Sequence, residues 1–187
     1  MGSEVNTYFA SHPADLGNYL SLVGETYAAV KKVNPAVIVT ASFQFEELVK
    51  MVSAGTTEWT MVTKLAPKLD AVAITTYPSI LFNSPSDLPT DYYTRLRNYT
   101  TKPVIIAESG WPSGGNRGSP QNQITFLDRL IFLTKDLKPQ LLIWWFPHDW
   151  SEGGYPEAFA TMGLRTSGGV PKPAWDKWLS IYKRPRR

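Results

Sequence analysis

Cysteine is absent from the 187-residue chain, which excludes disulfide staples, thiolate nucleophiles and zinc–sulfur sites. Histidine is scarce: His12 and His148 are the only two, and no His/Asp/Glu spacing near them resembles a metal site. Metal and cofactor chemistry are therefore not expected. No apolar run reaches the roughly 20 residues of a membrane span, so no membrane partner is expected. No signal-peptide pattern opens at Met1. The expectation is a soluble protein; the compartment is left open, with secretion or a periplasmic place in a full-length parent one reading. Charge of one sign is also thin. The net value is +3, and much of it falls in the terminal run Lys183-Arg184-Pro185-Arg186-Arg187, read as a solvated end. A basic stripe through the folded body, which nucleic-acid recognition requires, is missing. So is a glycine-rich phosphate loop after a strand, which argues against a nucleotide-binding sheet.

What is present suits one soluble globular domain over residues 1–187, with 43% hydrophobic and 19% charged residues. Aromatic residues reach 13%, a level that serves large cores and carbohydrate platforms equally. Short β-branched runs alternate with amphipathic stretches. Ala36-Val-Ile-Val-Thr-Ala41, Ala71-Val-Ala-Ile-Thr-Thr76, Pro103-Val-Ile-Ile-Ala107 and Gln140-Leu-Leu-Ile-Trp-Trp-Phe146 read as buried strands of a parallel sheet. Between them, helices are expected through Leu16, Leu20, Val23, Tyr27 and Val30, and from Glu58 to Leu69. Another is expected after Thr90 through Tyr92, Leu96 and Tyr99. A fourth follows Ser119-Pro120, an N-cap with proline in the first turn, and a last one holds Ala174, Trp175, Trp178 and Leu179.

A repeating strand–helix order fits either a doubly wound sheet or a (β/α) barrel. The polar and aromatic residues decide, because they cluster just after strand ends: Phe43-Gln-Phe-Glu46, Tyr77-Pro-Ser79, Glu108-Ser-Gly-Trp111 and Pro147-His-Asp-Trp150. A barrel builds its active site from those ends. The fold class expected is therefore α/β, a TIM-type (β/α) barrel.

Retaining glycoside hydrolysis needs two carboxyl groups about 5–5.5 Å apart, one nucleophile and one acid/base. Glu108 is the candidate nucleophile. A carboxylate directly after Val-Ile-Ile-Ala is costly to bury unpaired, but at a strand mouth it faces a polar pocket. The segment Ala107-Glu-Ser-Gly-Trp-Pro-Ser113 resembles the nucleophile motif of clan A glycoside hydrolases, closest to the endo-β-1,3-glucanase family. Gly2-Ser3-Glu4-Val5-Asn6 is similar to that family's acid/base segment on the fourth barrel strand. Ala73-Ile-Thr-Thr-Tyr-Pro78 resembles its sixth strand, and Leu142-Ile-Trp-Trp-Phe-Pro-His-Asp-Trp150 its eighth.

The resemblance implies a half-barrel, four to five parallel strands corresponding to β4–β8, with outer helices. It also implies roles in a retaining hydrolase of β-linked glucan or a related polysaccharide. Glu4 would protonate the leaving oxygen, with a raised pKa near Glu108. Tyr77 would orient Glu108. Either Trp144 or Trp145 would floor the sugar, and strand alternation lets only one reach the mouth, Trp145 being slightly preferred. Trp111, His148, Asp149 and Trp150 are second-rank candidates for sugar contacts, with loop capping an equal reading for His148 and Asp149. His12 is expected at the surface. The alternative function is a non-catalytic carbohydrate-binding or structural half-barrel. The missing first strands motivate it, and so does Ser3, since the family has asparagine there to contact the sugar 2-hydroxyl.

A complete barrel takes about 250 residues, and the sequence carries only part of one. Half-barrels leave strand edges open, and pairing of two copies closes them, so a homodimer is the leading expectation, ahead of a separate chain that supplies the missing strands or a half that folds alone with a rearranged edge. Solution mass tests this. Light scattering should return about twice the 21.0 kDa chain mass, and a 21.0 kDa particle would contradict paired half-barrels.

Overall fold

The computed structural model describes residues 1–49 and 59–183. The chain divides into two compact units: Met1–Thr76 with Tyr93–Glu108 and Leu137–Leu142, and Tyr77–Tyr92 with Ser109–Asp136 and Ile143–Arg187.

The first unit carries the sheet. Its strands β1 (Ser42–Gln44), β2 (Val72–Thr76), β3 (Val104–Ser109, whose last residue falls in the second unit) and β4 (Leu141–Leu142) lie in the order β1-β2-β3-β4. Neighbours are consecutive, and the β1/β2 and β3/β4 pairs are parallel. That is the arrangement produced by crossover connections that all run one way round. The opening residues lie beside β1, with the Met1 amino group donating to the Thr40 carbonyl and the Ser42 N–H to the Gly2 carbonyl. The strand stub expected at Gly2–Asn6 is not a strand: Ser3 and Glu4 bend away, Glu4 is left-handed and α1 begins at Val5, so the backbone bonds alongside the first strand come from Met1 and Gly2.

Around the sheet stand α1 (Val5–Ser11), α2 (Leu16–Val33), the short α3 (Phe45–Leu48) and α4 (Thr60–Leu65). α2 ends where expected: Asn34 leaves the helical region, with Pro35 next. Phe43, Phe45, Leu48, Val62, Leu65, Ile74, Tyr93, Leu96 and Ile106 are fully buried and form this unit's core. The Asn6 side chain fixes the start of α1 to β1 by donating to the Gln44 carbonyl (2.9 Å) and accepting from the Gln44 N–H (2.7 Å). Both groups of one residue are thereby satisfied in a buried setting.

The second unit holds α5 (Pro120–Thr134), α6 (Glu157–Ala160) and α7 (Pro173–Tyr182). Ser119 caps α5 as its sequence predicts, its hydroxyl accepting the Asn122 N–H at 2.9 Å. Phe126, Leu127 and Leu130 are fully buried with Trp111, Met162 and Ala174. Gln123 ties the loops together from inside α5, with its Nε2 within 3.0–3.1 Å of the carbonyls of Trp111, Met162 and Gly163.

Several expected elements differ. Residues 36–41 are not a strand, and pairing begins at Ser42. An Asn34 side-chain turn holds the Ala36 N–H, and the Asp70 carboxylate takes the Val39 N–H, so side chains replace the ladder there. Val37 and Ile38 are exposed despite their β-branched character. The helix expected through Tyr92, Leu96 and Tyr99 is a 3-10 segment, Thr94–Asn98. The helix expected over 58–69 is α4 plus a 3-10 turn at Ala66–Lys68, because Pro67 supplies no backbone N–H to continue the α-helix. Glu58 and most of the basic terminal run lie outside the described residues. The fourth strand is only Leu141–Leu142, since the Ile143 carbonyl is taken by the Ser109 hydroxyl instead of a backbone N–H.

Removing the Asn6 amide orphans both Gln44 backbone groups. Asn6→Ala is expected to cost about 2–3 kcal/mol, read as a lower urea midpoint with an unchanged m-value.

Candidate active site

The two carboxyl groups singled out by the sequence belong to the same unit. Glu108 is the fifth residue of β3 and is half-exposed. Alternation sets it on the same face as Val104 and Ile106, which are fully buried, so the strand passes from core to mouth along one side.

Glu4 sits between the stub and α1. Its backbone adopts φ 48° and ψ 43°, the left-handed region that costs a residue with a Cβ. Such an outlier persists only where its surroundings hold it. Here the Glu4 N–H donates to the Ser42 hydroxyl (3.0 Å), and its carbonyl accepts from both the N–H and the hydroxyl of Thr7. The carboxyl itself accepts from the Thr75 hydroxyl on β2 at 2.6 Å. Ser3, in place of the expected asparagine, accepts from the Ser42 hydroxyl at 3.3 Å.

Burial pushes the Glu4 pKa upward, and the nearby Glu108 charge adds to that rise, while the Thr75 hydrogen bond works against it. Desolvation and a like charge both disfavour a second anion. Both effects bias Glu4 toward its protonated form, the direction an acid/base partner of a nucleophile requires.

The aromatic candidates lie in the second unit and separate cleanly. Trp144 is buried, donates its indole N–H to the Met162 carbonyl (2.8 Å) and packs between Phe126 and Trp178. Trp145, one residue on, points the other way and is half-buried. Its ring meets Tyr77 edge-on at 5.2 Å and Phe159 at 5.7 Å, and stacks on Phe146 at 4.0 Å. Its backbone N–H donates to the carbonyl of Ser109, the residue that follows Glu108 in the chain. Tyr77 is 4% exposed and directly follows β2.

Trp111 is fully buried, its indole N–H donates to the Arg117 carbonyl (2.9 Å) and it packs on Phe126. The structure gives it a core role, as it does Trp144. His148 is exposed and bridges to Arg165 through the backbone. Asp149 forms an ion pair with Lys172 and accepts the Gly163 N–H, which makes it a loop clamp. Burial lowers the Lys172 pKa, and the Asp149 charge opposes that fall. Trp150 is 41% exposed and stacks over Phe146, with its indole N–H on the Gly153 carbonyl. His12 is at the surface, stacked on Tyr8.

Sequence reasoning passed over Ser42 and Thr75, which hold Glu4, and Phe146, Tyr155 and Phe159, which surround Trp145. Thr75 was detectable, since it shares a strand face with Tyr77 two residues on. Phe159 lies in α6 and carried no signal. No group of three or more His, Asp or Glu suited to a metal occurs among the described residues. No helix there is long and apolar enough to cross a membrane.

No family model and no curated protein matches the sequence. Solved structures do match. A glycoside hydrolase family 17 β-1,3-glucanosyltransferase from Rhizomucor miehei is 21% identical with a TM-score of 0.55, over 82% of this chain and 56% of that one. An active-site mutant of the Rhizomucor miehei β-1,3-glucanosyltransferase, in complex with laminaritriose, gives 18% and 0.58, over 82% and 55%. The Ruminococcus gnavus β-glucuronidase gives 14% and 0.61, over 85% and 28%. The chain therefore spans about half, or less, of the structures it resembles. The shared architecture is part of a TIM-type (β/α) barrel, the fold class expected from the sequence.

The raised Glu4 pKa carries a stability consequence. A carboxyl whose folded-state pKa lies above its unfolded value stabilises the fold below the unfolded pKa, and that contribution is lost as pH rises through the folded pKa. Glu4→Gln, which carries no charge, is therefore expected to melt above wild type at pH 7, with the gap closing toward pH 4. Thermal melts at both pH values check this, and a gap independent of pH would contradict it.

Proposed function

We propose that the protein is a retaining glycoside hydrolase acting on a β-linked glucan or related polysaccharide. The observation that carries this reading is the carboxyl pair: Glu108 on β3, and Glu4 raised in pKa by burial and by the Glu108 charge. The barrel fold supports it, because barrel enzymes draw catalytic groups from several strand ends.

Glu108 attacks the anomeric carbon while Glu4 gives its proton to the departing glycosidic oxygen. A covalent glycosyl–Glu108 ester forms and the alcohol leaves. Glu4, now ionised, takes a proton from water, whose oxygen attacks the anomeric carbon and releases the ester, returning Glu108 to a carboxylate. Thr75 holds the Glu4 carboxyl in position through both steps. Within the second unit, Trp145 and Tyr77 form an edge-on aromatic pair and Trp150 is an exposed ring, surfaces suited to sugar C–H faces. A sugar C–H face packs on such rings while its hydroxyls turn to polar groups. Closure of the barrel by a second copy of the chain belongs to the same reading.

A second reading, a carbohydrate-binding or structural half-barrel without turnover, is favoured by Ser3. Its hydroxyl is bonded to Ser42 and is shorter than an asparagine side chain. The two readings part on one assay. Glu108→Gln is expected to lower hydrolysis of aryl β-glycosides and soluble β-glucans by at least about 10³-fold. The wild-type rate should fall as pH rises through the elevated Glu4 pKa, and Glu4→Gln should abolish that limb. Equal residual rates in wild type and Glu108→Gln would remove the hydrolase reading.

A further inference from the structure

A cavity of about 410 Å³ opens in the second unit, lined among others by Ile80, Pro112, Asn116, Arg117, Glu157 and Phe159. Ligand pockets run from roughly 300 to 1,000 Å³, so the space suits a small molecule or one to two sugar rings.

Its charged wall is built in advance. One amino group of Arg117 donates to the carbonyls of Ser79 and Ile80. The Arg117 backbone carbonyl in turn accepts from the indole of Trp111 and the amide of Asn122. Both ends of the residue are therefore fixed. Its Nε and second amino group make no hydrogen bond among the described residues. Glu157 is exposed and makes no ion pair among them. Gly115, at φ +79°, leaves the space beside Glu157 open. A Cβ there would stand 3.4 Å from the Glu157 carboxyl carbon.

This combination selects a chemistry. An anion entering would meet Glu157, and a cation would meet Arg117. A neutral polyol satisfies both, donating hydroxyl protons to the carboxylate and accepting from the guanidinium. Ile80, Pro112 and Phe159 supply apolar surface for C–H faces. Phe159 also meets Tyr77 at 5.5 Å and Trp145 at 5.7 Å, so the cavity shares a wall with the aromatic group proposed to bind substrate.

We infer that the cavity is a separate saccharide subsite, taking one neutral pyranose unit of a β-linked glycan between Arg117, Asn116 and Glu157. The inference rests on the glycan reading above, and binding alone can test it. In the 187-residue chain carrying Glu108→Gln, calorimetry would follow laminaritriose and cellotriose, with a trisaccharide ending in glucuronic acid as the charged comparison. At least one neutral trisaccharide is expected to bind. Adding Glu157→Ala, or Gly115→Asn to fill the cavity with a residue tolerant of positive φ, should weaken it about tenfold. The uronate-ended sugar should bind more weakly than the neutral ones. Unchanged affinity in both added variants, tighter binding of the uronate, or no binding of either neutral sugar would overturn the subsite. Binding that behaves as expected, with no hydrolysis by wild type, would overturn only the hydrolase reading.

Discussion

Two carboxyl groups near enough to feel each other's charge are the constraint that organises the first unit. Left alone, Glu4 would turn away from Glu108 toward water. Instead it is held by its backbone on β1, through Ser42, and by its carboxyl on β2, through Thr75. The left-handed backbone at Glu4 is the local cost of that placement. Asn6, two residues on in the first turn of α1, locks the same segment to Gln44. The result is a carboxyl that is partly desolvated, close to a like charge and biased toward its protonated form.

The second unit solves a different problem, that of presenting aromatic surface without letting it collapse into the core. Strand-like alternation turns Trp144 inward and Trp145 outward. The inward ring is secured by its N–H on Met162, and Trp111 is secured likewise on Arg117. The ion pair of Lys172 with Asp149 and the three carbonyl contacts of Gln123 hold the loops that carry the outer rings. With those anchors in place, Trp145, Phe146, Trp150 and Tyr155 stand together at the surface side.

Much of this was legible in the sequence, for identifiable reasons. Glu108 stands out because a carboxylate ending a run of β-branched residues has few structural excuses. α2, α5 and α7 follow their apolar periodicity, and Ser119-Pro120 marks the start of α5. Residues 36–41 misled because β-branched composition is also met in an exposed stretch whose backbone bonds go to Asn34 and Asp70 side chains. Residues 90–99 misled because apolar spacing does not tell a 3-10 turn from an α-helix. Alternation told that Trp144 and Trp145 must differ, and burial decided which faces in. Trp111 belongs to a motif that reads as a binding loop, yet its ring is needed to pack α5. The grip of Thr75 and Ser42 on Glu4 joins residues 71 and 38 positions away, a separation no local pattern encodes.

The central claim is that Glu108 forms a covalent bond to sugar. A 2-deoxy-2-fluoro β-glucosyl donor with a good leaving group slows the release step and accumulates any such ester. Peptide mass spectrometry of the treated protein reads it directly. The account expects one fluoroglucosyl adduct, on Glu108, formed in wild type and absent in Glu108→Gln. An adduct on another residue, or turnover of the donor with inversion at the anomeric carbon and no adduct, would contradict it.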